Sequence, residues 1–464
     1  KTIIYGLLIS IMGALIMIPA VNSGSFMFIL SAFFIIALGF SLQQTSANPL
    51  VLNLGNPATG SHRLNLAGSI NSLGTTIGPI LVSLALFGKL IATDADKTAV
   101  SIDSINILYI ILAVAFAAAI FILAFSKFPK LEIEEEDTEM KILKEPLFFV
   151  IGILVFLTVI FLFFAYRNNN SSGDNTIDNS KFLFLLGISI FLLVLSVVLF
   201  LLYNRIKKQN LIELTAYPQV TLGMMAIFIY VGVEVTIQSN LGTLLKLPEY
   251  GGLNDSQIGP YISLYWGSLM IGRWTGAIGS FNLKRTANLI LTIILPFAAL
   301  SLVLFMNYLS GADVSTFFLY SVCVAVLIAG FIIGKQKPAL TLMIFGVLGA
   351  VAMVVGLLST GMVGVYAFLS GGLFCSIMWP CIFSLAIAGL GKYTSQASSF
   401  LIMMILGGAF IPPVQGLLAD YADIHISYII PVLCFIYLAW YAWKVKKVLI
   451  SKGINYDSTA GSGH

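Results

Sequence analysis

The sequence predicts an all-α, polytopic membrane protein of about fourteen spans, and three observations carry that reading. Apolar residues make up 59% of the 464-residue chain and charged residues 9%, with a mean hydropathy of +0.99. A water-soluble domain carries about 25% charged residues, so lipid must cover most of this surface. The apolar residues fall in runs of about 20, the length an α-helix needs to cross the hydrocarbon core. The loops between those runs alternate between basic and less basic. Strands are excluded because an open sheet edge in lipid strands unsatisfied backbone groups.

In chain order the runs lie at 2–21, 26–52, 64–91, 104–126, 147–166, 182–203, 219–245, 257–282, 286–307, 314–334, 338–358, 362–389, 396–419 and 425–445. This register puts eighteen lysines and arginines on one face, among them Lys1, Arg63, Lys284, Arg285 and Lys444, and five on the other, with Arg273 left inside a span. Lysine and arginine concentrate on cytoplasmic loops. Both chain ends are therefore expected in the cytoplasm. Residues 131–145 (LEIEEEDTEMKILKE) read as an acidic, solvated connector, and 167–181 (RNNNSSGDNTIDNSK) as a polar external loop. No signal peptide is recognisable, since the chain enters its first apolar run directly after Lys1.

Several function classes are excluded. The basic residues are spread over short loops, so nucleic-acid binding has no support. Cys323, Cys375, Cys381 and Cys434 sit in apolar runs and read as small packing residues. His62, His425 and His464 are scattered and form no ligand set, so no metal and no cofactor are expected. No nucleophile–base pair or phosphate-binding loop suggests an enzyme.

Residues 36–79 and 367–412 share an order of features. Each has a small-residue helix with a proline (Pro49, Pro380), a basic loop (Arg63, Lys392), then a glycine-rich helix ending in proline (Gly74 and Pro79, Gly407 and Pro412). Small residues let membrane helices approach closely, and a proline in a span frees a carbonyl that another group must satisfy. A two-fold repeat of this kind is how secondary transporters are built.

The same segments carry a resemblance. Ser46-Ala-Asn-Pro49, Arg63-Leu-Asn-Leu-Ala67, Asn71-Ser-Leu-Gly74, Tyr230-Val-Gly-Val-Glu234, Ile271-Gly-Arg-Trp-Thr-Gly276, Ser376-Ile-Met-Trp-Pro380, and Ser398-Ser-Phe400 through Gly407-Gly408 occur in the order found in one family. Over about two thirds of its length the chain resembles the fucose/glucose/galactose:cation symporters of the major facilitator superfamily. The resemblance implies a two-bundle fold with two further helices before Lys1, and extra hairpins at 147–203 and 286–334 in the cytoplasmic loops of a twelve-helix plan. The expected division is 1–130, a partial N-terminal bundle; 131–216, the acidic linker with one inserted hairpin; and 217–285, the start of the C-terminal bundle. The second inserted hairpin then occupies 286–336, the rest of the C-terminal bundle 337–447, and a cytoplasmic tail 448–464. The family's proton-binding glutamate on its fourth helix corresponds to Gln44, which does not titrate.

Ionisable groups deep in a span cost about 2.5–3.5 kcal/mol on insertion scales and are usually functional or paired. Glu234 and Arg273 are the two clear cases. Glu234, with Gln238 one turn later, is the candidate ion-coupling carboxylate, the alternative being a structural pair. Arg273 is expected to act in gating or helix packing, because a guanidinium can clamp carbonyls or a carboxylate of a facing helix. A sugar is held by neutral donor–acceptor side chains and an aromatic platform. Gln44, Asn48, Asn71, Gln238, Tyr265 and Trp379 are the expected substrate contacts, with Gln43, Asn240 and Trp266 as further polar groups. The resemblance assigns Gln44 and Asn71 to positions where the family meets its sugar. Asp255, Gln257 and Tyr261 are expected at the external mouth, and Asp420 and Asp423 in a solvated loop.

The expected activity is symport of a small neutral sugar with a co-transported H+ or Na+ by a monomeric unit in the bilayer. The competing readings are transport of an amino sugar or saccharide fragment, and a transporter-like sensor or assembly subunit that moves nothing.

Overall fold

The computed structural model describes residues 2–54, 59–88, 101–126, 217–281, 283–334 and 337–454, and everything below concerns them. They are helical throughout. The helices are α1 (Thr2–Ser23), α2 (Phe26–Asn53), α3 (Gly60–Phe87), α4 (Ile102–Phe125), α5 (Pro218–Leu245), α6 (Asp255–Ala277), α7 (Arg285–Leu309) and α8 (Ser321–Gly334). They continue with α9 (Pro338–Leu358), α10 (Gly361–Cys375), α11 (Met378–Ala386), α12 (Thr394–Met403), α13 (Gly407–Tyr421) and α14 (Ile429–Ser451).

Eleven spans among the described residues are long and apolar enough to cross a membrane, fewer than the fourteen expected. The difference has two sources. The runs at 147–166 and 182–203, the acidic connector and the polar loop at 167–181 all lie outside the described residues. The run at 257–282 does form a helix, α6, but serines, glycines and Arg273 make it too polar to count. A span this polar is stable only where other helices cover it, and α6 is packed by α3, α5, α7 and α10.

Small residues set the tightest contacts. On α2, a Cβ added to Gly39 would overlap Ser10 Oγ on α1 and stand 2.6 Å from the Gly6 carbonyl oxygen. No larger side chain fits between these two backbones. Gln43 adds a donor across the same contact, its Nε2 lying 3.1 Å from Ser10 Oγ. In the second half, Gly407 of α13 meets the backbone of Phe228 on α5 just as closely.

The paired organisation expected from the prolines and glycines has a counterpart in packing. Helix α1 packs on α2 and α4, and α9 packs on α10 and α14 in the same order along the chain. The two halves differ in one respect: α2 and α3 run unbroken, whereas the matching spans are interrupted at Ser376–Ile377 and at Met404–Leu406. Pro380 explains the first break. It has no N–H to give the carbonyl of Ser376 four residues earlier. The broken α10–α11 span is the most enclosed among the described residues, with Phe368, Leu373, Met378 and Phe383 inaccessible.

Helices α7 and α8, where a hairpin is expected, pack against α6 on one side and α9 and α10 on the other.

Candidate functional site

Arg273 is the hub of the site. It projects from α6 in a stretch whose glycines let two neighbours come close: Gly272 faces Ser376 at the α10–α11 break, and Gly276 faces Asn65 on α3. The guanidinium makes three contacts on three different elements. Its Nη2 lies 3.1 Å from Glu234 Oε1 on α5. Its Nη1 donates to Ser72 Oγ on α3 at 2.8 Å. Its Nε donates to the Ser376 carbonyl at 3.3 Å, replacing the donor that Pro380 lacks.

The side chains of Arg273 and Glu234 are 15% and 11% exposed, so this ion pair is mostly shielded from water. In such a setting, removing either partner leaves an uncompensated charge. Tyr230 on α5 sits beside both members of the pair. Tyr265 on α6 donates its hydroxyl to the backbone carbonyl of Glu234 at 2.6 Å. Cys375, the last residue of α10, lies close enough to feel the charge of both Glu234 and Arg273.

The expected residues therefore divide. Glu234, Arg273 and Tyr265 come together, though Tyr265 is fully buried and its hydroxyl is committed to holding α5 to α6. Trp379 is half-buried just beyond them, stacked on Phe383 at 5.8 Å between ring centres and 6.3 Å from Tyr230. Gln238, one turn from Glu234, is half-buried with only a 3.4 Å contact to Ser239 Oγ. Asn240 is spent in a chain of polar groups, donating to Gln415, which donates to Ser427. Trp266 packs edge-on against Tyr265.

Gln44, Asn48 and Asn71 stand apart from the ion pair. Gln44 and Asn71 are exposed, Asn48 is half-buried, and none of the three amides has a hydrogen-bond partner among the described residues. Their surroundings matter more than their exposure. Ala37, Ser41, Gln44 and Asn48 follow helical spacing along one face of α2, and Ala67, Asn71, Gly74 and Gly78 along one face of α3. These faces are small and polar. The open face of α4, by contrast, is Ile107, Ile110, Ile111, Val114, Phe121 and Ile122, as a lipid-facing helix requires.

The seam between α3 and α6 contains contacts that the sequence alone does not reveal. Trp274 Nε1 donates to the Ser69 carbonyl at 3.2 Å. His62 Nδ1 lies 2.8 Å from the Gly276 carbonyl, with its ring lodged against Gly279. Thr76 reaches Met270 Sδ at 3.7 Å. All of these, together with Arg273–Ser72, join residues 62–76 of α3 to residues 270–276 of α6 and to Gly279 in the turn just beyond it. The signal that points here is Gly272 and Gly276 on α6 and Gly279 just past its end, at spacings of four and three, a notch for an approaching helix. Arg63 is engaged elsewhere. Its Nε and Nη2 donate to the carbonyls of Val51 and Leu52, closing the C-terminal end of α2.

Tyr261 is buried against Phe317 at 4.9 Å. Asp420 and Asp423 follow the apolar part of α13, the former within its last turn and the latter just beyond. No group of His, Cys, Asp and Glu among the described residues has the arrangement of a metal site.

The chain is 26% identical over 441 residues to a protein named glucose/galactose transporter from Brucella abortus, covering 95% of this chain and 77% of that one. It is 26% identical over 453 residues to a putative glucose/galactose transporter of Helicobacter pylori, covering 95% and 80%. It is also 24% identical over 434 residues to the L-fucose-proton symporter of Escherichia coli, covering 93% and 75%. No family model matches the chain. A crystal structure of the Escherichia coli fucose:proton symporter superposes with a TM-score of 0.62 at 21% identity, covering 96% of this chain and 83% of that one. A second structure of that major facilitator superfamily transporter, in the outward conformation, gives 0.60 at 21% identity, covering 96% and 82%.

Proposed function

We propose, on the premise that the chain belongs to the fucose/glucose/galactose porters of the major facilitator superfamily, that it carries a neutral monosaccharide together with a proton across a bacterial inner membrane. The observation that carries this reading is the pair of open polar stripes on α2 and α3. Gln44, Asn48 and Asn71 present unpaired amides there, where a lipid-facing helix would present isoleucine and phenylalanine. Neutral amides suit a ring of hydroxyls, each amide offering both donors and an acceptor without fixed charge. Trp379 and Gln238 complete the contact set from the second half. Tyr265 acts behind them as a positioning group, since its hydroxyl is engaged by Glu234.

Glu234 is the coupling residue in this proposal. A sodium ion would need several oxygen ligands, but the described partner of this carboxylate is a cation, the Arg273 guanidinium at 3.1 Å. A proton needs no such shell, so H+ is favoured over Na+. The end of the bundle that bears Arg63, Lys284, Arg285 and Lys444 is assigned to the cytoplasm, by the preference of basic residues for that side. The transport unit is taken as one chain, with two helix bundles rocking about the site.

Counterflow in proteoliposomes tests the reading. Vesicles preloaded with unlabelled glucose, galactose or L-fucose should accumulate the matching labelled sugar transiently, for at least one of the three. A protein that binds one of these sugars in the same membranes but exchanges none would be a sensor, and the carrier reading would fall.

A further inference from the structure

Helices α8, α9 and α10 leave a groove of about 430 Å³ along their outer side. Its walls are short aliphatic side chains: Val322 and Val326 from α8, Val351 and Val355 from α9, and Val363 and Ala367 from α10. Such residues line a trench that leucine or phenylalanine would fill. Val322, Val351 and Val363 stand more than half exposed at its rim. All three helices belong to spans long and apolar enough to cross a membrane, so the medium at the mouth is lipid.

No charged residue lines the groove, and each hydroxyl or thiol there is turned to a backbone carbonyl. The Tyr366 hydroxyl donates to the Thr316 carbonyl. Ser370 Oγ donates to the Ala367 carbonyl at 2.7 Å, and Cys323 Sγ lies 3.9 Å from the Tyr366 carbonyl. A buried water needs roughly two to four polar partners, and a sugar presents a whole ring of hydroxyls, so the groove suits neither. Its dimensions choose among apolar occupants. Along α10 it runs from Met362 to Phe374, about 18 Å at 1.5 Å per residue. Spread over that length, about 430 Å³ gives a mean cross-section of about 24 Å². A helix about 10 Å across needs about 80 Å². A helix from a second copy does not fit, whereas a single extended hydrocarbon chain does.

We infer that this groove is a binding site for one acyl chain of a bilayer phospholipid, which enters it from the side of the bundle. An empty trench would leave its walls without dispersion partners. A chain lying in it touches protein on three sides, where a chain beside a smooth helix touches it on one. Phe374 marks the inner end, set edge-on against Phe345 of α9 at 6.1 Å. On the opposite face of α10, Gly371 meets Ile237 of α5 and Gly372 meets the Tyr265 carbonyl oxygen of α6. The bound chain therefore backs the helix that packs, on its other side, against the two helices bearing Glu234 and Arg273.

Photolabelling of the whole chain in phosphatidylcholine nanodiscs tests this, with a trace of phosphatidylcholine carrying a diazirine on one acyl chain. Peptides covering 319–326, 348–355 and 362–374 should take up about tenfold more label than α4, whose open face of Ile107, Ile111 and Val114 meets the same lipid without a groove. Ala352→Phe and Val355→Phe, which fill the groove, should bring its labelling down to the α4 level. Val347→Phe adds the same bulk at an exposed position of α9 outside the groove and should leave the labelling as it is. Equal labelling of groove and α4 in the wild type would mean ordinary contact with surrounding lipid and would overturn the site, and this arm needs no variant to fold. Groove labelling that survives both filling substitutions in folded protein would overturn it too. Label excluded from these peptides, in protein that runs as a dimer, would assign the groove to a second copy and overturn the site as well.

Discussion

Arg273 stands in for a backbone amide hydrogen: its Nε lies 3.3 Å from the carbonyl oxygen of Ser376, the acceptor that Pro380 cannot serve. The proline breaks the most enclosed span among the described residues, and the arginine of a neighbouring helix caps the break. This substitution of side chain for backbone predicts coupling between two distant positions in the sequence. Pro380→Ala restores an N–H that can reach Ser376, so removing Arg273 should cost less in that background. A double-mutant cycle on Arg273→Met and Pro380→Ala, read by thermal unfolding in detergent, should show about 1 kcal/mol of coupling. Additive effects would mean that the cap contributes nothing.

Gly272 predicts a second effect at the same break. A Cβ at this position would overlap Ser376 Oγ and lie 2.5 Å from Ser376 Cβ. The hydroxyl could rotate away, but Cβ is fixed to the backbone, so the backbones of α6 and the α10–α11 span would have to separate. Gly272→Ala should destabilise the protein by about 1–3 kcal/mol. Gly74→Ala is the control, because a Cβ there meets nothing within 4 Å and helix propensity favours alanine. Equal melting temperatures for the two variants would contradict the close approach.

Arg63 makes a prediction about α2 alone. It caps the Val51 and Leu52 carbonyls and donates to Thr59 Oγ1 at 2.6 Å, so the helix end and the following turn share one cation. Arg63→Met keeps the aliphatic stem and removes all the donors. With the residue half-buried, a loss of about 1–2 kcal/mol is expected, measured as a shift in thermal unfolding. Arg63→Lys should recover only part of it, because an ammonium cannot match the fork.

These positions also show what a sequence can and cannot reveal. The spans are legible because twenty apolar residues in a row have few other fates. Glu234 and Arg273 are legible as isolated charges too costly to leave unpaired in a membrane. Their pairing is not, because they are 39 residues apart on different helices and nothing in either segment names the other. Tyr265 reads in sequence as an aromatic contact for sugar, but its hydroxyl is turned inward to the Glu234 carbonyl. A tyrosine beside a tryptophan in a span reads the same whether the pair lines a cleft or packs a core. The seam contacts of Trp274 and His62 end on backbone carbonyls, which carry no side-chain signature. Only the glycine spacing on α6 hints at them.

Asn71 tests the open stripe. It lies next to Ser72, the residue that Arg273 holds, but its own amide faces outward without a partner. In the proposed carrier Asn71→Ala removes a sugar contact and leaves the seam intact. Sugar affinity should fall by about 1–3 kcal/mol, measured by calorimetry on purified protein with the sugar that supports counterflow. Thermal stability without sugar should be unchanged. Unaltered affinity would remove Asn71 from the site, and a large loss of stability would reassign it to helix packing.

Glu234→Gln separates coupling from carriage. The neutral amide resembles the protonated acid in shape, so the variant sits permanently in the proton-loaded condition. Movement of sugar down its own gradient, and exchange across the membrane, need only that the protein alternate while loaded, so counterflow should persist. Uphill accumulation needs the empty carrier to return without its proton, a step in which Glu234 gives up that proton and, once ionised, re-forms its pair with Arg273. A glutamine cannot take part in that step. Accumulation driven by an imposed pH gradient in proteoliposomes should therefore fall to the equilibrium level, and the pH dependence of sugar affinity should flatten. Because ionised Glu234 is balanced by Arg273, Arg273→Met should affect the same step from the other side, leaving the acid without its counter-charge and favouring the protonated form. A Glu234→Gln protein that still concentrates sugar against its gradient would show that the coupling proton binds elsewhere.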